Sequence, residues 1–182
     1  LRRAFATVRG GAPAIVYVAG VSGIGKTALC ERFLDEVHGE AEVLSGRCYE
    51  REAVPFKALD AIVDALSRRL RDAGAVAAAR LTPRSTTELC RIFPVLERVP
   101  AFAEAAGASA ASDPQEVRRR AFLGLKETFA RLGEARPVVL FIDDLQWGDV
   151  DSAAFLTELA SPPEPPRVLL IGDSVSRGYT QA

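Results

Sequence analysis

The strongest chemical signal in this chain is the run Gly20-Val21-Ser22-Gly23-Ile24-Gly25-Lys26-Thr27, in which a glycine, four residues and then Gly-Lys-Thr follow one another. An apolar, largely β-branched run, Ile15 to Ala19, leads into it, and a helical pattern from Ala28 to Val37 leads out. A strand, a glycine-rich loop and a helix in that order predict a phosphate cradle. Glycines let the backbone curl so that N–H groups, through that of Ala28, aim at one anion, and the helix N-terminus adds its dipole. Lys26 supplies a point charge for β- and γ-phosphates, and Thr27 supplies a hydroxyl for Mg²⁺. Residues 20 to 28 are therefore the candidate nucleotide-binding set, with Lys26 also a candidate catalytic residue.

A phosphate loop needs a metal holder on another strand. Pro137-Val138-Val139-Leu140-Phe141-Ile142-Asp143-Asp144 reads as a strand buried on both faces that ends in two carboxylates. Ligands of open α/β sheets sit at that end of the strands. Asp143 is the candidate Mg²⁺ ligand beside Thr27, and Asp144 is the candidate base that orients the attacking water. The chain contains no asparagine, so the Asn-Lys-x-Asp signature of guanine recognition cannot occur. That favours ATP over GTP by exclusion. No Leu-Ser-Gly-Gly-Gln stretch precedes the second motif, which counts against a transporter ATPase.

The remaining elements have to position these groups. Residues 1–13 read as a helix end and a turn. A helix over 27–38 carries Ala28, Leu29, Phe33, Leu34 and Val37 on one face, and Gly39 stops it. Glu42 to Cys48 reads as a second strand. Pro55 opens a long amphipathic helix with Phe56, Leu59, Ile62, Val63, Leu66 and Leu70 at helical spacing. The Ala-rich middle predicts short helices at 85–98 and 100–106 and a flexible stretch at 107–112. Asp113-Pro114-Gln115-Glu116 is a helix start with an N-cap, a proline at the first position and a glutamate three residues after the cap. Its helix buries Val117, Ala121, Phe122, Leu125, Phe129 and Leu132, and Gly133 ends it. A helix over 149–160, a proline-rich link from Ser161 to Pro166 and a strand from Arg167 to Gly172 complete the alternation. The alternation predicts an α/β fold with a central parallel sheet flanked by helices, and the loop with its acidic strand end resembles P-loop NTPases of the type with a strand inserted beside the loop strand.

The length of 182 residues suits one domain with a sizeable core, and 48% hydrophobic with 26% charged residues is ordinary for a globular chain. A net charge of −1 argues against a general nucleic-acid or membrane-surface role. No apolar stretch approaches the roughly 20 residues of a membrane span. The basic clusters Arg68-Arg69-Leu70-Arg71 and Arg118-Arg119-Arg120 read as solvated helix faces. Cys30, Cys48 and Cys90 lack metal spacing and read as reduced thiols in a cytoplasmic protein. The single histidine, His38, reads as a surface or helix-end residue. The absence of methionine predicts a piece of a longer protein.

Leu140-Phe141-Ile142-Asp143-Asp144-Leu145-Gln146-Trp147-Gly148-Asp149 resembles the second-motif signature of the signal-transduction ATPases with numerous domains (STAND). In particular it is similar to the AAA-type ATPase domain of large LuxR-type transcriptional regulators and of Ser/Thr kinase and cyclase fusions. Gly46-Arg47-Cys48-Tyr49-Glu50-Arg51-Glu52 with Pro55-Phe56 resembles the same family, and the likeness covers residues 1–172. The resemblance implies a nucleotide switch in signalling, in which ATP binding promotes assembly and slow hydrolysis resets it. It implies ATP and Mg²⁺ as ligands, with Lys26 and Thr27 on phosphate and metal, Asp143 on metal and Asp144 on water. The implied partners are the other domains of a longer chain and further copies of itself. Direct nucleic-acid binding and membrane contact are not implied.

The end of the chain departs from that family. Ile171-Gly172-Asp173-Ser174-Val175-Ser176-Arg177 resembles the Gly-Asp-Ser block that opens the SGNH hydrolases, whose serine is a nucleophile. Such a serine needs a base and an oxyanion hole, which the sequence up to Ala182 does not provide. Residues 173–182 are thus either a sensor region, with Asp173 or Ser174 beside the γ-phosphate, or the start of another domain. Three other readings stay open: an ATP switch that binds without turnover, a P-loop kinase for a small substrate, and the leading part of a hydrolase fusion.

Overall fold

The computed structural model describes residues 1–50, 56–108, 113–162 and 165–175. Helix α1 (Arg2–Arg9) and a Gly10-Gly11 turn precede strand β1 (Ala14–Gly20) and helix α2 (Lys26–Val37). Strand β2 (Glu42–Arg47) leads to α3 (Lys57–Asp72), α4 (Ala75–Leu81), α5 (Thr86–Ile92), a 3₁₀ turn at Pro94–Arg98 and α6 (Pro100–Ala105). Then come α7 (Pro114–Ala135), β3 (Val138–Asp143), a 3₁₀ turn at Leu145–Trp147, α8 (Val150–Leu159) and β4 (Val168–Val175).

The four strands among the described residues form one parallel sheet in the order β1-β4-β3-β2. Strand β4 is therefore inserted between the loop strand and the strand that ends in Asp143. Both central strands are buried throughout or nearly so, and period-two alternation sends their side chains to two different cores. Val139, Phe141, Leu169 and Ile171 meet α1 and α2 through Phe5, Val8, Cys30, Phe33 and Val37. Val138, Leu140, Ile142, Val168 and Leu170 face α3, α7, α8 and the small helices. Sandwiching by helices on both faces explains why β3 reads as a continuous apolar run.

The predicted stripe of α7 and that of α3 from Leu59 to Leu70 are buried, whereas Phe56 precedes α3 as its N-cap at φ 60° and is only partly buried. Asp113 caps α7, accepting from the N–H groups of Gln115 and Glu116 at 3.3 Å each. Several boundaries differ from expectation. Gly133 does not end α7; it keeps helical geometry, packs against Arg167, and the helix runs on to Ala135. The single helix expected over 85–98 is broken, because Pro94 has no N–H to donate and forces Phe93 out of helical geometry (φ −123°, ψ 80°). Helix α4 has too little apolar periodicity to stand out in an alanine-rich run. Strand β4 extends to Val175, three residues past the predicted stop. Pro55, most of the 107–112 stretch and Arg177 lie outside the described residues. The two basic clusters are partly ion-paired: Arg69 with Glu42, Arg118 with Asp151, and Arg119 and Arg120 with Glu116. Among the described residues no helix is long and apolar enough to cross a membrane.

The contact of α3 with β2 depends on Gly46. A Cβ there would lie 2.5 Å from the Ala61 Cβ and 2.9 Å from the Ala61 carbonyl carbon. The obstacle includes backbone, so the helix itself has to move. Gly46→Ala is expected to destabilise the fold by about 1–3 kcal/mol, read as a lowered urea midpoint.

Candidate functional site

Register brings the chemistry together. In the β2–β3 ladder Arg47 lies opposite Asp143, and in the β3–β4 ladder Ile142 lies opposite Gly172. Arg47, Asp143 and Asp173 thus sit side by side at the carboxyl edge of the sheet, on strands about 4.8 Å apart. Gly20 ends β1 at the same edge, paired with Val175.

The loop leaving Gly20 turns through Gly23 (φ 78°) and Gly25 (φ 95°) into α2. Both residues occupy left-handed conformations that a side chain would strain, so the glycines are required by the path. Gly25 caps α2 without a side-chain bond, which leaves the first N–H groups of the helix facing the loop interior. Val21, Ser22, Gly23, Ile24 and Gly25 are exposed, as is Ala28, while Lys26 and Thr27 are half-buried. Lys26 Nζ donates to the Val21 carbonyl at 3.2 Å, across the loop it would share with a phosphate.

Thr27 points into the acidic edge. Its hydroxyl lies 3.0 Å from Asp143 Oδ1 and 3.0 Å from Asp173 Oδ2. One hydroxyl proton serves one acceptor, so the second contact calls for an extra proton or a cation. Asp143 is pushed above the ordinary carboxylate value, first by burial and then by its hydrogen bond to Asp173 and that group's charge. Asp143, Asp144 and Asp173 each offer an oxygen within 4.8 Å of the others. Three carboxylates beside a threonine hydroxyl form a hard, all-oxygen donor set, which fits Mg²⁺.

Asp144 follows β3 in a left-handed conformation (φ 57°, ψ 42°). Aspartate is among the few residues that tolerate it. Its N–H donates to Asp173 Oδ1 at 2.7 Å, and this bond fixes the turn. Its carboxylate takes Arg47 Nη2 at 2.6 Å and Nε at 3.0 Å on one oxygen, and Gln146 Nε2 at 2.9 Å on the other. Gln146 Oε1 in turn accepts from the Val175 N–H at 3.1 Å. The turn after β3 is thereby stitched to the end of β4.

The model of the AAA ATPase domain family matches residues 1–171. The chain belongs to that family. No curated protein matches it. Solved structures with a similar fold include chains in those of Drosophila ORC bound to GC-rich DNA and Cdc6 and to AT-rich DNA and Cdc6. The first is 14% identical, with 97% of this chain and 45% of that one covered and a TM-score of 0.48. The second is 16% identical, with 99% and 49% covered and a TM-score of 0.49. A chain in the structure of Drosophila ORC bound to DNA is 15% identical, with 99% and 81% covered and a TM-score of 0.46. The chain spans about half the length of the first two.

The AAA ATPase domain supports its acidic edge with a shared helix cap. Asp149 accepts from the Ser152 N–H at 2.8 Å and from the Ser152 hydroxyl at 2.5 Å, capping α8. It also accepts from the Lys57 N–H, and Ser152 Oγ accepts from the Leu59 N–H at 3.4 Å. One Asp-Ser pair thus caps two helices, and α3 has no side-chain cap of its own. Burial alone would push Asp149 up, but the bonds from Ser152 and Lys57 outweigh it and hold the carboxyl below its ordinary 3.8. A depressed carboxyl stabilises above its unfolded value and loses that contribution as pH falls through the folded one. Asp149→Ala is therefore expected to lower stability by about 1–2 kcal/mol at pH 7. In urea melts the gap to wild type should narrow as the pH drops below 3.8.

Not every residue that the AAA ATPase domain brings to this candidate site is legible in the sequence. Arg47 and Gln146 lie within the family-like segments, yet no spacing or neighbour in them points to a partner for either side chain. Asp173 was one of two candidates for the sensor position, and it is the one that reaches Thr27. Ser174 continues β4, paired with Ala19. His38 sits at the far end of α2, about 18 Å along that helix from the loop. It is badly placed to serve as a base for Ser174.

Proposed function

We propose that this domain binds Mg-ATP and hydrolyses it slowly, as a nucleotide-dependent switch within a larger signalling protein of the STAND type. The observation that supports this best is the Thr27 hydroxyl, held 3.0 Å from both Asp143 and Asp173 at the foot of the loop. A phosphate loop and an acidic edge meet there at one side chain.

In this reading the loop N–H groups and Lys26 take the β- and γ-phosphates. Thr27 and Asp143 hold the metal, with Asp173 as a third oxygen donor beside them. The metal supplies charge neutralisation at the phosphates. Asp144 accepts the proton of the attacking water or orients it. Its carboxylate is already engaged by Arg47 and Gln146, which favours slow turnover. The same engagement supports a second reading, a switch that binds ATP without hydrolysing it. Partners in both readings are the other domains of a longer chain and further copies of this one.

Calorimetric titration with Mg-ATP and Mg-GTP tests the proposal. Saturable ATP binding with weaker or absent GTP binding is the expected result. No binding of either nucleotide by the folded chain overturns it. Single-turnover hydrolysis then separates the slow ATPase from the binding-only switch.

A further inference from the structure

We propose that the open edge of β2, with the groove beside it on α2, is a docking site for an extended basic segment of a partner protein, which adds to the sheet as a further strand. This edge lies at the opposite end of the sheet from the loop strand and owes nothing to the nucleotide reading.

Strand β2 has β3 as its neighbour on one side and, among the described residues, no strand on the other. Glu42 donates its N–H to the Pro137 carbonyl, and Cys48 donates to that of Asp143. Backbone groups of a strand point to either side by turns, so the even-numbered residues of β2 face β3. Val43, Ser45 and Arg47 turn their N–H and C=O groups to the open side. Such a row is a template for pairing with another chain. Helix α2 leaves room beside it. The side chains of Val43 and Ser45 lie on the α2 side of the sheet, opposite Val139 and Phe141. With Glu31, Leu34, Asp35 and His38 they line a groove of about 450 Å³. Its floor, Leu34 and Val43, is apolar, and its α2 rim is acidic. Glu31 and Asp35 are exposed and form no ion pair among the described residues, whereas Glu36 on the same helix is paired with Arg2 and Arg32. The two free carboxylates stand about one helical turn apart, roughly 6 Å along the axis. Alternate residues of an added strand lie about 6.6 Å apart on one face. Charge and spacing together select lysine or arginine at every second position of the incoming segment.

The test is fluorescence anisotropy of a labelled hexapeptide, Lys-Val-Lys-Val-Lys-Val, titrated with the nucleotide-free chain at low salt. Saturable binding is expected, weakened about fivefold by the double substitution Glu31→Gln with Asp35→Asn, the scale of two exposed ion pairs. Two further peptides carry backbone N-methyl groups, one on every lysine and the other on every valine. Only one of these sets of N–H groups turns toward β2, so one methylated peptide is expected to bind about tenfold or more weakly and the other to bind like the parent. A purely electrostatic contact treats both alike. Ser45→Pro removes a donor from the open side without breaking the β2–β3 ladder and is expected to weaken binding about fivefold. If that variant does not fold, the pair of methylated peptides decides. No saturable binding to wild type, equal binding of the two methylated peptides, or full binding to the double variant each overturns the proposal. Sedimentation of the chain alone tests the other occupant: self-association abolished by Ser45→Pro would assign the edge to a second copy and overturn docking of a basic segment.

Discussion

Lys26→Ala is expected to weaken Mg-ATP binding by on the order of 100-fold or more while leaving the melting temperature nearly unchanged. Both halves follow from where the side chain sits. Lys26 is the first residue of α2, half-buried, and the hydrogen bond it makes is to the Val21 carbonyl of its own loop. Removing it opens no cavity in either core, and alanine is the best helix former to put in its place. The nucleotide, by contrast, loses a charge-assisted bond to its most highly charged phosphates. Such bonds are roughly twice as strong as neutral ones, and about 2.7 kcal/mol corresponds to 100-fold in affinity. Calorimetry of the variant beside wild type reads the first half and thermal unfolding reads the second. Undiminished ATP affinity in the variant would show that the loop does not hold the phosphates.

Asp144→Asn is expected to leave ATP binding within a few-fold of wild type and to reduce single-turnover hydrolysis by about 10²–10⁴, the usual range for loss of a general base. Asparagine is the substitution to make, because Asp144 stands at φ 57°. Asn is enriched in that left-handed region, whereas Ala would add backbone strain to the measurement. The Asp144 N–H bond to Asp173 is a backbone bond and survives the change. A variant that hydrolyses at the wild-type rate would remove Asp144 from catalysis. If neither protein turns over, the binding-only switch is the correct reading.

Why one half of this site is legible in the sequence and the other is not has a simple geometric cause. Residues 20 to 28 are contiguous, and a tight glycine turn between a strand and a helix is a local structure. Pattern and path therefore coincide. Asp143 and Asp144 are also legible, because a strand buried on both faces leaves an unbroken apolar run and its end is marked by the first charges. Asp173 is less so. A sequence reading that stops β4 at Gly172 leaves Asp173 in an undefined segment, and Gly-Asp-Ser then resembles a different chemistry. Inside the folded chain the same residue continues β4 and stands between the loop strand and β3, within reach of Thr27. Arg47 lies in a family-like segment, but nothing near it in the sequence points to its partner. It acts across the β2–β3 ladder, and a ladder is a pairing between residues nearly a hundred positions apart.

By itself the sequence determined the phosphate loop, the two-faced burial of β3, the stripes of α3 and α7 and the cap at Asp113. All of these depend on periodicity or on neighbours a few residues away. It also determined the parallel α/β class, through the alternation of elements. A strand inserted beside the loop strand is expected from the phosphate-loop pattern, but only the tertiary structure decided that it is β4, in the order β1-β4-β3-β2, and with it the meeting of Thr27, Asp143 and Asp173, the hold of Arg47 on Asp144 and the double cap at Asp149. Those contacts exist because the ends of parallel strands converge on one edge of a sheet. Which strands become neighbours there is settled by how two apolar faces are covered at once, a condition that no single segment encodes.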